Sequence, residues 1–242
     1  MYYYPIMSQE TDYIGDELSL FQHAKNWKAY YSSYFKKHLH GRILEVGAGL
    51  GGTTLSLCDG TQKEWLCLEP DPKLSINIET LISENKLPAC CKSKTGFLSD
   101  IPVTEKFNAI LYIDVIEHIE DDYAELNKAS QYLEKDGVIL IIVPAHQFLY
   151  SPFDKAIGHY RRYSVKRTKQ AVPSDLKILK AIYLDSVGLA ASMANKLFLK
   201  QSYPTLKQVL FWDRTMVPVS KLADQLLFHS VGKSVLLIAQ KK

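Results

Sequence analysis

The order of apolar segments along the chain predicts an α/β protein in which a parallel sheet carries helices on both faces. Short, almost wholly apolar runs such as VILIIVP at 138–144 are typical of strands that are buried on both faces of a sheet. Amphipathic segments with helical spacing separate these runs, so strands and helices alternate through most of the chain. A composition of 47% apolar and 23% charged residues is that of an ordinary globular domain.

The alternation defines the strands and helices of the first 144 residues. The predicted strands are 42–46, 64–70, 89–96, 107–114 and 138–144. The predicted helices are 17–39, 53–59, 71–86 and 115–137. Asp71 and Pro72 mark the start of the third helix, because Asp is a good N-cap and Pro suits the first helical position. Gly137 predicts the end of the fourth helix, since Gly favours the position that follows a helix.

The C-terminal third departs from this alternation. The sequence predicts a helix at 163–172, strands at 175–185 and 234–242, and a mainly helical segment at 186–230. Two late strands joined by a long helical excursion predict an antiparallel edge that carries an insertion. Lysines are scattered along the insertion, so it could cover a substrate, form a dimer surface or lie against anionic lipid. We favour the cap, and both a monomer and a homodimer stay open.

We expect a single domain over residues 1–242. Its parts are an N-terminal helical lid (1–40), a core (41–185 and 231–242) and the helical insertion (186–230). The tyrosine-rich start of the chain (Tyr2, Tyr3 and Tyr4) is expected to be a loosely docked tail.

The charge and cysteine content exclude several classes of protein. A net charge of +3 over 242 residues is too small for a nucleic-acid binder unless it is concentrated on one face. No apolar run reaches the length of about 18 residues that spans a bilayer, and the N-terminus lacks the pattern of a signal peptide. Cys58, Cys67, Cys90 and Cys91 form no CxxC or Cys/His ligand pattern. We therefore expect a cytoplasmic protein with reduced thiols and no nucleic-acid partner.

A glycine loop follows the first predicted strand. Gly47, Gly49 and Gly52 satisfy the dinucleotide fingerprint GxGxxG, and Glu69 ends the next strand. NAD and S-adenosylmethionine both need a close backbone approach and an acid for the ribose, so the loop alone does not choose between them. Glu45 favours S-adenosylmethionine, because an acid beside the loop complements a sulfonium and an ammonium and would repel a pyrophosphate.

Four blocks together resemble the class I S-adenosylmethionine-dependent methyltransferases: ILEVGAGLGGTT, CLEPD, AILYIDVIEHIEDD and LEKDGVILIIVP. The resemblance covers about residues 17–185 and the last strand. It implies a Rossmann-like, doubly wound sheet of seven strands in the order 3-2-1-4-5-7-6, with strand 7 antiparallel. It also places the cofactor over the carboxyl ends of strands 1, 2 and 4. Related enzymes fold their N-terminal helix over the cofactor, which would bring Asn26 or Trp27 to the site.

The resemblance implies a set of cofactor-binding residues. They are Glu45, Gly47, Ala48, Gly49, Glu69, Pro70, Phe97 and Asp114. In this set Glu69 would hold the ribose, and Asp114 would lie near the methionine end. The family often has an acid after strand 3 that contacts the adenine amine, but this chain has Gly96 and Phe97 there. Adenine recognition is therefore expected from the backbone of Phe97 rather than from Asp100.

The stretch FDKAIGHYRRYS (153–164) follows the last parallel strand, where the resemblance implies the substrate side of the methyl group. His159 is the first candidate for the general base, because Asp154 in the same loop could orient it. His118 and His146 are the other two candidates. Residues Tyr160, Arg161 and Arg162 are expected to bind the acceptor. Alternatively, the arginines only tie the loop to the acidic start of the following helix, at Glu117, Asp121 or Asp122.

Asp114, Glu117 and His118 carry ligands that suit divalent ions. We expect no metal there, because acids at a helix start are stabilised by the helix dipole. The block P-A-H, F-D and G-H-x-R-R-Y resembles a subgroup of methyltransferases that accompanies polyprenol-type glycosyltransferases or small-molecule biosynthesis.

The predicted function is methyl transfer from S-adenosylmethionine to an oxygen, nitrogen or carbon atom of a small-molecule or lipid-linked acceptor. Peripheral contact with a membrane is compatible with this prediction. The alternatives are an RNA-directed or protein-directed methyltransferase and, less favoured, an NAD-dependent oxidoreductase.

Overall fold

The computed structural model describes residues 16–199 and 203–242. Its strands are β1 (Arg42–Val46), β2 (Glu64–Glu69), β3 (Cys91–Thr95), β4 (Phe107–Ile113), β5 (Leu133–Pro144), β6 (Leu176–Leu184) and β7 (Ser234–Lys241). They form one sheet in the order β3-β2-β1-β4-β5-β7-β6. Strand β7 runs antiparallel to β5 and β6, and the other neighbours in the sheet are parallel. This arrangement confirms the predicted fold.

Helices cover both faces of the sheet. In chain order they are α1 (Asp16–Phe21), α2 (Lys25–Phe35), α3 (Thr54–Leu57), α4 (Pro72–Ser83), α5 (Asp122–Gln131), α6 (Pro152–Ala156), α7 (Val165–Ala171), α8 (Ser186–Ala194), α9 (Leu206–Phe211) and α10 (Val217–Leu226). Two π-helical turns, Asn195–Leu199 and Trp212–Met216, extend α8 and α9. Short 3-10 turns lie at Lys36–His38, Leu98–Asp100, Ile116–His118 and Gln147–Leu149.

The core lies on both faces of the sheet, as the apolar strands predict. Ile43 and Leu111 belong to the apolar cluster on one face, whereas Leu44 and Ile110 belong to the cluster on the other. This alternation follows from the two-residue period of a strand. The sheet is therefore packed on both faces, which leaves the ends of its strands to carry the functional side chains.

The prediction of one helix over 115–137 is wrong. The chain forms a 3-10 turn at Ile116–His118, then α5, which Asp121 caps by accepting a hydrogen bond from the Ala124 amide. Helix α5 ends at Gln131, and β5 begins two residues later. Gly137 lies in an irregularity of β5, where a Cβ atom would be 2.9 Å from the carbonyl oxygen of Glu134. The glycine thus permits close backbone approach and does not cap a helix.

The predicted helix over 17–39 is also wrong in detail, because it divides into α1 and α2. Helix α2 has no side-chain cap of its own. The carboxylate of Asp213, from the C-terminal insertion, instead accepts hydrogen bonds from the backbone amides of Asn26 and Trp27 at 3.2 and 2.8 Å. An acid supplied from another part of the chain satisfies the orphan amides of this helix.

Buried aspartates also tie the insertion to the core. Asp224 accepts a hydrogen bond from the Tyr30 hydroxyl at 2.8 Å and from the Asp185 amide at 2.7 Å. Asp185 in turn accepts one from the indole of Trp212 at 2.7 Å. The mainly helical character predicted for 186–230 is confirmed over the part that the structure describes. The tyrosines at positions 2–4 lie outside the described residues.

No helix among the described residues is long and apolar enough to cross a membrane. All four cysteines carry free thiols. Three of them, Cys58, Cys90 and Cys91, lie together, with Cys58 Sγ 3.5 Å from each of the other two sulfurs.

Candidate active site

The candidate site lies at the edge of the sheet where the carboxyl ends of β1, β2, β4 and β5 meet. This edge is the usual ligand site of open α/β sheets. Strand β7 is antiparallel, so its first residue belongs to the same edge: Ser234 pairs with Pro144 at the end of β5. Loops from five strands therefore converge here.

The glycine loop has backbone conformations that only glycine adopts easily. Gly47, Gly49 and Gly51 all have positive φ, of 67°, 55° and 75°. The Gly47 amide donates to the carbonyl of Leu68 at 2.8 Å. A Cβ atom at Gly47 would lie 2.7 Å from Val115, so the loop passes close to the residue that follows β4. The loop thus presents bare backbone toward the site.

Glu45 lies buried beneath the glycine loop. Its Oε2 atom accepts hydrogen bonds from Thr54 at 2.6 Å and from the indole of Trp65 at 2.8 Å. Burial raises the pKa of Glu45 to about 7, although these two hydrogen bonds and the nearby Lys28 ammonium act in the opposite direction. The side chain therefore supports the loop from below and can hold or release a proton near neutral pH.

Glu69 links the end of β2 to the glycine loop. Its carboxylate accepts hydrogen bonds from the amides of Gly49 at 2.7 Å and Asp71 at 3.0 Å. Burial raises the pKa of Glu69, against the effect of these two amides. Each carboxylate oxygen keeps a lone pair beyond the amide that it already accepts. The acid can therefore receive hydroxyl donors of a ligand while it holds the loop, and the next residue, Pro70, is exposed.

Phe97 and Asp100 form a small turn after β3. The Phe97 amide donates to Asp100 Oδ2 at 2.8 Å, so this N–H is already occupied within the turn. The Phe97 ring is 62% exposed. The predicted adenine contact through the Phe97 backbone would have to use its carbonyl group, whereas the ring itself offers a stacking surface.

Asp114 follows β4 with a positive φ of 54°, and its amide donates to the carbonyl of Ile142 at 2.9 Å. Its side chain is exposed, yet surrounding protein raises its pKa to about 6, against the attraction of His159, Lys233 and Lys28. The side chain is therefore open to a ligand, although much of the protein surrounds it.

Two lysines that the sequence analysis did not identify lie near the glycine loop and Asp114. A Cβ atom at Gly52 would lie 2.9 Å from Nζ of Lys28, so α2 places this ammonium over the glycine loop. Lys233 precedes β7, and burial lowers the pKa of both lysines against the attraction of nearby acids, Asp114 among them. Lys233 could have been predicted from the sequence, because an antiparallel β7 must begin at the edge where the parallel strands end. No sequence signal marks Lys28.

His159 is held by a series of hydrogen bonds that runs through Asp154 to Arg162. Its Nδ1 atom lies 3.0 Å from Asp154 Oδ1, and Arg162 donates to both carboxylate oxygens of Asp154, at 2.7 and 2.9 Å. Burial alone would raise the pKa of Asp154, but the hydrogen bonds from His159 and Arg162 hold it well below its usual range. The ionised Asp154 accepts a hydrogen bond from Nδ1–H of the imidazole, which leaves Nε2 with a lone pair.

Glu117 and His118 lie beside His159. Glu117 is fully buried, and neither of its carboxylate oxygens has a hydrogen-bond partner in the part of the chain that the structure describes. Burial and the nearby Asp114 carboxylate raise its pKa well above the usual range. The His118 and His159 rings meet edge to face with their centroids 4.5 Å apart. Burial and the neighbouring His159 lower the pKa of His118 to about 4, so this imidazole is neutral at physiological pH.

The remaining predicted residues have structural partners. Arg161 donates to the carbonyls of Ile119 and Glu120 at 2.8 and 2.7 Å and lies 3.5 Å from the Asp122 carboxylate, so it ties the loop to the start of α5. Tyr160 is half exposed and its ring lies beside the Arg161 guanidinium. The imidazole of His146 lies 2.9 Å from the carbonyl of Gly232 and stacks on Tyr183, outside the His118–His159 cluster.

Comparisons with known proteins agree with the fold. A family model described as a methyltransferase domain matches residues 20–180, which is more than half of the chain. No curated protein matches the sequence significantly. Solved structures at 17% identity or below share the fold, and three of them illustrate its range.

A candidate sarcosine dimethylglycine methyltransferase from Galdieria sulphuraria has a TM-score of 0.60 at 17% identity, over 90% of this chain and 85% of its own. Coclaurine N-methyltransferase, bound to N-methylheliamine and SAH, has a TM-score of 0.59 at 14% identity, over 88% and 72%. The 4+2 cyclase SpnF has a TM-score of 0.60 at 13% identity, over 94% of each chain. Because a cyclase shares the fold, the fold alone does not identify the reaction.

Proposed function

Because the chain belongs to the family of methyltransferase domains, we propose that it transfers the methyl group of S-adenosylmethionine to a nucleophilic atom of a small-molecule or lipid-linked acceptor. One observation carries the proposal. An acid-supported glycine loop and the oriented imidazole of His159 belong to loops at the same edge of the sheet, and Asp114 interacts electrostatically with both His159 and Lys28.

The residues present fit S-adenosylmethionine, which supplies an electrophilic methyl group on a sulfonium. We assign the bare backbone of Gly47, Ala48 and Gly49, supported by Glu45, to the methionine portion. The carboxylate of Asp114 suits the ammonium group of the cofactor, and the ammonium of Lys28 suits its carboxylate. These opposite charges match the zwitterionic end of the cofactor.

The nucleoside portion is assigned to the ends of β2 and β3. Glu69 would accept hydrogen bonds from the two ribose hydroxyls, since its oxygens keep lone pairs beside the amides of Gly49 and Asp71. The exposed ring of Phe97 would stack on the adenine, which replaces the backbone contact that the sequence predicts. Pro70 would lie beside the ribose.

We assign deprotonation of the acceptor to His159. Asp154 holds Nδ1, so Nε2 is the nitrogen that can take a proton from a hydroxyl or amine, and Arg162 holds Asp154 in turn. General-base catalysis of this kind contributes about 10²–10⁴-fold. His118 would pack against the base in its neutral form. We place Arg162 as a positioning residue and give no catalytic role to His146.

The charges around the site favour a small or lipid-linked acceptor over RNA. The arginines after β5 are paired within the protein: Arg162 pairs with Asp154, and both Arg161 and Arg167 pair with Asp122. Nucleic-acid binding needs cations that are free to reach phosphates. The carboxylates that hold these three arginines compete with a phosphate for them.

The insertion favours an acceptor with an apolar portion. Val219, Leu222 and Leu226 are 56%, 66% and 78% exposed, and their spacing places them on one face of α10. The exposed cations Lys207 and Lys221 lie on the same insertion. This combination suits an acceptor that is presented by, or resembles, an anionic lipid.

The proposal is tested by methyl transfer from methyl-labelled S-adenosylmethionine to a panel that pairs water-soluble alcohols and amines with polyprenol-linked ones. We expect acceptor-dependent release of S-adenosylhomocysteine, larger for the lipid-linked members. Binding of the cofactor without transfer to any hydroxyl, amine or carbon acceptor would favour a non-transferase use of the fold.

A further inference from the structure

Glu117 is the most unusual group of the candidate site. It is fully buried, and both carboxylate oxygens lack a hydrogen-bond partner among the described residues. Buried carboxyl groups in proteins are normally paired or bound to metal, because leaving them unpaired costs free energy. A ligand is therefore the simplest partner for this side chain.

Two imidazoles lie close to this carboxyl group. One ligand atom from each of Glu117, His118 and His159 lies within 4.8 Å of the other two. Nε2 of His159 lies 3.9 Å from Oε1 of Glu117, which is too long for a hydrogen bond. Two atoms that share a cation at about 2.1 Å each lie about 3–4 Å apart. The observed separation matches a shared cation better than a direct contact.

The orientation of His159 supports the same conclusion. Histidines that bind metals usually donate their other ring N–H to a carboxylate, which fixes the tautomer and turns the free nitrogen toward the ion. Asp154 accepts from Nδ1 of His159 at 3.0 Å, and Arg162 fixes Asp154 through two hydrogen bonds. The Asp154–His159–Glu117 arrangement therefore has the form of a carboxylate–histidine–metal relay.

We propose that Glu117, His118 and His159 bind a divalent first-row metal cation, with Asp154 orienting His159. Two imidazoles and one carboxylate leave coordination positions open for a substrate oxygen. This differs from the expectation of no metal that the sequence supports, because the chain position of His159 gives no sign that it joins Glu117 and His118.

The role of the cation rests on the proposed function, whereas its binding does not. A cation here would bind the hydroxyl oxygen of an acceptor and lower its pKa. The O–H proton would pass to water, and the oxygen would then attack the methyl carbon while the carbon–sulfur bond breaks with its electron pair left on sulfur. The cation would take over the task assigned to His159, since Nε2 cannot hold a metal and accept a proton together.

The test is a titration of chelator-treated, full-length protein with Mn²⁺ by calorimetry, and with Co²⁺ by visible absorption. We expect one bound ion per chain. Glu117→Gln and His118→Ala should each weaken binding by at least about tenfold, the smallest loss typical of a disturbed metal site. Glu117→Gln is isosteric and removes an unpaired buried acid, so it should fold as well as the wild type.

Two controls separate this site from others. His40→Ala removes an exposed histidine and should leave the affinity for Mn²⁺ unchanged. Cys58→Ser disrupts the cluster of three thiols that Cys58 forms with Cys90 and Cys91, which could hold a soft metal. Absence of saturable binding of both ions, equal binding by Glu117→Gln, or a Co²⁺–thiolate band that Cys58→Ser abolishes would overturn the proposal.

Binding of S-adenosylhomocysteine to the metal-free protein distinguishes the two proposals. If S-adenosylhomocysteine binds but Mn²⁺ and Co²⁺ do not, the metal site is overturned and the methyltransferase function stands. If the metal binds but S-adenosylhomocysteine does not, the proposed function fails and the metal site stands.

Discussion

The Nε2 atom of His159 lies 3.9 Å from Oε1 of Glu117, a buried carboxyl group that has no hydrogen-bond partner within residues 16–199 and 203–242. The two residues come from different loops, after β5 and after β4. The sheet brings them together because the carboxyl ends of adjacent parallel strands share one edge. The fold thus places an oriented imidazole beside a buried acid.

Replacing His159 tests its role in turnover. His159→Asn should lower turnover by about 10²–10⁴-fold, because the substitution removes the nitrogen that would take a proton or hold a cation. Binding of S-adenosylhomocysteine, measured by calorimetry, should stay within about twofold of the wild type. The exposed His40→Ala is the matched control. Unchanged turnover in His159→Asn would remove this residue from the mechanism.

Arg162 should act through Asp154 and His159. Arg162→Gln removes the guanidinium that neutralises Asp154, so a positive charge on His159 becomes easier to hold. We expect the acid limb of the pH–rate profile to move to higher pH and turnover at neutral pH to fall about tenfold. Arg161→Gln, which loses contacts with backbone carbonyls, is the control and should leave the acid limb in place. A profile that does not move in Arg162→Gln would limit Arg162 to a structural role.

Glu45 should make the stability of the free protein depend on pH. Burial raises its pKa from 4.5 in the unfolded chain to about 7 in the folded protein, so the folded state binds more protons between these values. Stability contributed by the protonated acid is complete below about pH 4.5 and is lost as the pH rises through about 7. The loss amounts to roughly 3 kcal/mol.

Glu45→Gln provides the comparison, because its amide oxygen can still accept from Thr54 and Trp65. Denaturant unfolding at pH 5 and pH 8 should show the variant gaining stability relative to the wild type as the pH rises. A difference in unfolding free energy that is the same at both pH values would contradict the raised pKa.

Asp213 should hold the N-terminal helices to the insertion. Asp213→Ala leaves the amides of Asn26 and Trp27 without their acceptor, at a cost of about 2–4 kcal/mol. The melting temperature should fall, and limited proteolysis should cleave between α1 and α2 faster than in the wild type. Glu79→Ala, an exposed acid on α4, is the control. Equal proteolysis of Asp213→Ala and wild type would show that the cap is dispensable.

The sequence predicts much of the fold because buried strands and the glycine loop leave strong local signals. The strand order, taken from the family resemblance, is confirmed. The end of α5 escapes prediction, since Gly137 looks like a helix C-cap and instead permits close approach within β5. The break between α1 and α2 escapes it too, because the cap of α2 comes from Asp213, nearly 190 residues away along the chain.

The candidate site likewise contains residues whose positions the sequence predicts and residues whose positions it does not. Glu45 lies near the end of β1, Glu69 is the last residue of β2 and Asp114 follows β4, so their place at the carboxyl edge can be derived from the chain. Lys28 reaches the site from a helix face that carries no motif. The tie of Arg162 to Asp154 depends on side-chain packing within one loop, which residue spacing does not determine.

Calorimetric titration with S-adenosylhomocysteine tests the central claim most directly. The wild type should bind one equivalent per chain, and NADH should give no saturable heat. Glu69→Ala should fold normally and bind at least about 30-fold more weakly, because a charge-assisted pair of hydrogen bonds to the ribose contributes roughly 2 kcal/mol or more. A wild type that does not bind S-adenosylhomocysteine, or a folded Glu69→Ala that binds it equally well, would contradict the account.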